Sequence, residues 1–168
     1  MDSNLLAALI GIAGGLLGVA VGALLQHRSS HAQLCRQTTL QIYDRFDDAD
    51  VLESRIRAER LLSANASAPQ PRCLSELYAS LPRDDWQHIS RTRHILDQLG
   101  LLGRVGYLDK SIAGPLFANY VNYWIDRYFA ALEDSEREFA KRKGIRPQQW
   151  HVTCAELKKL FPSVTQKS

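Results

Sequence analysis

The hydrophobic pattern changes character about 25 residues in. From Leu5 to Leu25 every residue is Leu, Ile, Val, Ala or Gly, a run of 21. At about 1.5 Å per helical residue such a run reaches roughly 31 Å, the thickness of a bilayer's hydrocarbon core. The pattern predicts one transmembrane anchor over residues 1–26. A cleaved signal peptide is the competing expectation, but the opening Met-Asp-Ser-Asn has no basic residue. The run also exceeds the roughly 7 to 15 apolar residues of a usual signal core, which favours a retained anchor.

Beyond the run, apolar residues recur at helical spacing. His27 to Phe46 has no Pro or Gly and carries Leu34, Ile42 and Phe46 on one side, so the anchor is expected to continue as a stalk. Asp47, Asp48 and Asp50 break the pattern and introduce a helix through Val51, Leu52, Ile56 and Leu62, with Glu53 and Arg57 as an i, i+4 pair. Residues 27–62 thus form the stalk and first helices. Ser63 to Arg72, with Asn65, Ser67, Pro69 and Pro71, reads as an exposed loop.

Residues 73–162 read as a helical domain. A short helix over Leu74 to Leu81 stops near Pro82, and Asp84 or Asp85 is expected to cap a longer one facing Trp86, Ile89, Leu96, Leu99 and Leu102 inward. Gly100, Gly103 and Gly106 loosen its end. A helix starting near Asp109 carries Phe117, Tyr120, Val121, Trp124, Tyr128 and Leu132 and runs to Lys143, where Gly144 stops it. Pro147 is expected in the first turn of a last helix bearing Trp150, Cys154, Leu157 and Leu160, and 163–168 as a disordered tail. No segment alternates like a strand, so the fold class is all-α: an anchor leading into a cytoplasmic helical bundle.

Charge sets the expected orientation. No Lys or Arg precedes the apolar run, whereas Arg28 and Arg36 follow it, which places the C-terminal side in the cytoplasm. Cys35, Cys73 and Cys154 are odd in number and widely spaced, fitting free thiols in a reducing compartment. The net charge of +3, with bases and acids interleaved, argues against nucleic acid as a partner.

Gly11, Gly15, Gly18 and Gly22 lie along one face of the apolar helix, beside Gly14, and would let another backbone approach. This predicts self-association or pairing with another membrane subunit. His27, His31 and Cys35, at i, i+4 and i+8, are candidate metal ligands. One helix cannot close a tetrahedron with all three, since i and i+8 stand about 12 Å apart. Trp86, Tyr120, Tyr123, Trp124 and Tyr128, with Phe129 nearby, are candidates to line a pocket, with core packing the plainer expectation. Lys141, Arg142, Lys143 and Arg146 are candidates for contact with anionic lipid, or simply complement a helix C-terminus.

No catalytic constellation emerges and no cofactor is implied. His88, Arg91, Arg93 and His94 share a helix with Asp84 and Asp85, but rotation sets the two imidazoles about 120° apart and the group reads as a solvated face.

Arg93-His-Ile-Leu-Asp-Gln-Leu-Gly-Leu-Leu-Gly-Arg-Val-Gly-Tyr-Leu-Asp109, followed by Tyr120-Val-Asn-Tyr-Trp124, resembles a bacterial family of small, N-terminally membrane-anchored helical proteins of unknown function. The resemblance implies the architecture and a bacterial inner membrane setting, and no activity. The expectation is a membrane-tethered interaction or scaffold module that meets a cytoplasmic protein. The alternatives are a small-ligand sensor or enzyme with a pocket between the aromatic helix and the Trp86 helix, and a pore or lysis component. The last is opposed by the lack of any polar residue in the run.

Overall fold

The computed structural model describes residues 3–162, with side chains at position 15 and from position 18 onward. Among these residues the chain is helical throughout, without strands: α1 (Ser3–Phe46), α2 (Ala49–Ala66), α3 (Leu74–Ser80), α4 (Arg83–Arg104), α5 (Lys110–Trp124), a π-turn (Ile125–Phe129), α6 (Ala130–Lys143) and α7 (Cys154–Leu160). The expected disordered tail lies outside the described residues.

The backbone of α1 is one uninterrupted helix of 44 residues. Side chains at 5–14, 16 and 17, most of the apolar run, lie outside the description. Among the described residues no helix is long and apolar enough to cross a membrane.

α5, the π-turn and α6 form one helical run from Lys110 to Lys143 at the centre of the bundle. Asp109 starts it by accepting from the Ser111 N–H at 3.0 Å, and Gly144, at φ +65°, stops it in the left-handed region where glycine fits without penalty. The π-turn adds a residue within the run, with Ala130 N–H reaching back to Ile125 O. Trp124, Ile125, Tyr128 and Phe129 are all buried there. Around this run pack Phe46 of α1, Leu62 of α2, Leu96 and Leu99 of α4, and Leu157 of α7.

Five boundaries or faces differ from the sequence pattern. α2 continues to Ala66, so the connection is shorter, and the Asn65 amide holds it by exchanging hydrogen bonds with the Arg72 backbone. α2 buries the small residues Ser54 and Ala58 with Leu62, while Leu52 and Ile56 are exposed, because its close partner α4 needs thin side chains at the contact. Leu34 is likewise exposed, the inward positions of α1 being Cys35, Thr39 and Phe46. α4 begins after Pro82, with no side-chain cap, and carries Asp84 and Asp85 in its first turn, where they complement the helix dipole. Pro147 opens no helix: α7 starts at Cys154, where Thr153 and Glu156 form a capping box.

Candidate functional site

The body of the protein meets α1 at two small polar residues. Cys35 is buried and its thiol donates to the carbonyl of Gly106 at 3.3 Å. One turn on, the Thr39 hydroxyl donates to the Cys35 carbonyl at 2.8 Å and accepts from the Asp109 N–H at 2.9 Å. A thiol and a hydroxyl thereby satisfy backbone groups of the α4–α5 turn that would be costly to bury unpaired. The Asp109 carboxyl is held below its usual range, first by the Ser111 hydroxyl, so it caps α5 as a carboxylate.

From this junction α5 runs beside α1 in the same direction. Tyr43 meets Phe117 at 6.0 Å between ring centroids, and Phe46 meets Tyr120 edge-on at 4.3 Å. In the other direction α1 leaves the body: residues 18–34 are all exposed, among them Val19, Val21, Leu24 and Leu25. A methyl group added at Gly15, Gly18 or Gly22 would meet nothing within 4 Å. Gly11 lies outside the described side chains.

The candidate metal ligands are brought together only in part. His31 Nδ1 lies 3.5 Å from Cys35 Sγ, but the thiol is engaged with Gly106 and the His31 ring rests near Tyr107, at 5.8 Å. Among the described residues no group of three or more His, Cys, Asp or Glu side chains is placed to hold a metal.

The aromatic candidates are divided by the fold. Trp86 packs edge-on against Tyr78, while Trp124 and Tyr128 meet at a tilt in the core and half-buried Tyr120 packs against Trp124. Burial pushes the Tyr120 phenol up, and its hydroxyl has no partner among the described residues. Tyr123 lies at the surface, where a hydrogen bond to Glu59 pushes its phenol up to about 12. Tyr128 borders a small cleft of about 180 Å³ with Leu62, Pro71 and Leu132.

A larger cleft, about 600 Å³, opens between the α1–α2 corner and α4. Ile42, Phe46, Val51 and Ile95 form its apolar part, and Arg45, Asp48 and Asp50 from the corner and Arg91 and His94 from α4 its polar part. No Ser, Thr or Cys lines it. His88 borders a separate cleft and meets Ser54 Oγ at 3.2 Å, in keeping with the expected angular separation from His94.

One residue read from sequence as part of a solvated face is a core residue. Arg93 is fully buried, 3.4 Å from both Asp97 and Glu133, and donates to the Val152 carbonyl. Its guanidinium lies over Phe129 and Trp150, and its Nε and Nη1 have no hydrogen-bond partner among the described residues. Its register with Ile89, Leu96 and Gly100 on the inner face of α4 was the available signal.

Lys141, Arg142, Lys143 and Arg146 are exposed at the C-terminal end of α6. The run from Lys110 to Lys143 carries them roughly 45–50 Å from the α1 junction at 1.5 Å per residue. Their position suits the partial negative charge of the helix end.

Fold and junction together define an all-α protein with a long N-terminal helix projecting from a helical body. No family model, curated protein or solved structure matches the chain.

Proposed function

We propose that the chain is a membrane-tethered interaction module, anchored by the first half of α1 and presenting the α2–α7 body to a cytoplasmic partner. The observation that carries the reading is the exposure of α1 over residues 18–34, with Val19, Val21, Leu24 and Leu25 exposed and continuous with the apolar run before them. A helix apolar on all sides needs a covering other than water. The unoccupied face at Gly15, Gly18 and Gly22 supports association of anchors within the bilayer. In this reading the anchor crosses a bacterial inner membrane with its N-terminus outside, as the resemblance and the Arg28 and Arg36 bias suggest.

The test is crosslinking of the full chain in isolated membranes, comparing it with Gly15→Leu and Gly18→Leu. A discrete oligomer that both substitutions weaken supports an assembling anchor. An unchanged oligomer removes the glycine face from the reading, and release of the chain by alkaline extraction removes the anchor.

A further inference from the structure

We propose that the α4–α5 turn is a second membrane contact, in which Leu101, Val105 and Tyr107 enter the interfacial layer of the bilayer that α1 crosses. The proposal rests on the anchor reading and adds the orientation of the body to it.

Two contacts fix the turn along α1. Tyr107 lies against His31 and Gly106 accepts from Cys35. Of the described contacts between α1 and the body these are nearest the apolar run. His31 is six positions past Leu25, about 9 Å along the helix axis at 1.5 Å per residue. The headgroup layer adds roughly 5–8 Å on each side of the hydrocarbon, so the turn is held at its outer edge and an outward-pointing side chain can enter it.

The turn has the chemistry of that layer. Val105 is 60% exposed, Tyr107 41% and Leu101 39%. Leu101 and Val105 are four apart and project on one side, while Gly106, at φ +78°, turns the chain so that Tyr107 follows at the surface. Tyrosine suits an interface because its ring is apolar and its hydroxyl stays hydrated. Arg36 and Lys110 are exposed nearby and suit lipid phosphates. Arg104 is paired with Glu156 at 2.8 Å, and the Asp109 carboxylate offsets one of the two remaining cations, so the turn carries a single net positive charge.

The test places a nitroxide label on the full chain in vesicles of phosphatidylcholine and phosphatidylglycerol. Val105→Cys and Leu101→Cys are the two reporting sites, and Glu138→Cys on the exposed side of α6 is the reference. The native Cys35, Cys73 and Cys154 are buried, so the label goes to the added thiol. Relaxation by lipid-soluble oxygen should exceed that by a water-soluble nickel chelate at 101 and 105, and the order should reverse at 138.

If the protein floats with the vesicles while 101 and 105 behave like 138, the anchor stands and this proposal falls. If both probes are excluded at 101 and 105, protein covers the turn, residues 163–168 or a second chain, and the proposal also falls. If the chain does not float, the anchor reading fails and takes the proposal with it.

Discussion

The guanidinium of Arg93 on α4 lies 3.4 Å from the carboxylate of Glu133 on α6, and both help fix the segment leading into α7. Arg93 donates to the Val152 carbonyl, and Glu133 accepts from the Cys154 N–H at 3.2 Å. Truncating one partner of such a buried pair leaves the other charge uncompensated, which costs about 3–5 kcal/mol. Arg93→Met is therefore expected to lower stability by that order in chemical denaturation. Pairing it with Glu133→Gln should recover part of the loss; strictly additive losses would show that the two charges do not interact.

Gly100 in α4 and Gly114 in α5 should respond to the same substitution in opposite directions. A Cβ at Gly100 would come within 2.5–2.9 Å of the Val152 side chain, so Gly100→Ala is expected to destabilise. The cost of such overpacking is typically about 1–3 kcal/mol. Gly114 sits inside α5 with nothing within 4 Å of an added Cβ, and Gly114→Ala should stabilise. The gain is about 0.5–1 kcal/mol, from the helix preference of alanine over glycine. Thermal melts of the two variants test both signs.

Glu136 sets an acid limb of stability. Burial raises its pKa, but hydrogen bonds from the Ser75 hydroxyl at 2.5 Å, the Ser75 N–H at 2.8 Å and the Gln148 N–H at 3.1 Å outweigh that and hold it below 4.5. The folded-state value is depressed, so the contribution is fully present above the ordinary carboxylate range and is lost as pH falls through the folded value. Unfolding free energy measured from pH 6 downward should decline below about pH 4.5. The Glu136→Gln variant should be less stable at neutral pH and show a shallower decline.

The thiols should be inert in the folded protein. Burial pushes Cys73 up to about 11 and Cys154 up to about 12, and Cys35 is buried against Gly106. Since the thiolate is the reactive form, a thiol reagent at pH 8 should modify the native chain slowly and all three residues rapidly once denaturant is added. Fast modification of one thiol in native conditions would mean that its element opens locally.

Much of the fold was legible where local chemistry decides it. Asp109 and Gly144 bound the central run as their cap chemistry implies, and the aromatic spacing from Phe117 to Leu132 marks its inward side. Hydrophobicity misled where packing distance or charge pairing decides. α2 hides Ser54 and Ala58 and exposes Leu52 and Ile56, and Arg93 is buried because partners 40 and 59 positions away receive it. Pro147 is compatible with a helix start but lies before an irregular segment that Glu136 and Arg93 hold by its backbone. Of the functional reading, the apolar run is visible in sequence alone. The contact of Gly106 and Tyr107 with α1 joins positions more than 70 apart and has no local signature.

The central claim is that α1 is anchored in a membrane with the body on the cytoplasmic side. Protease access to the exposed Pro69–Arg72 connection, measured on intact spheroplasts and on inverted inner-membrane vesicles, tests it most directly. The account predicts a full-length chain that resists alkaline extraction, is protected in spheroplasts and is cut in inverted vesicles. A shortened, extractable product, or cleavage in spheroplasts, would contradict it.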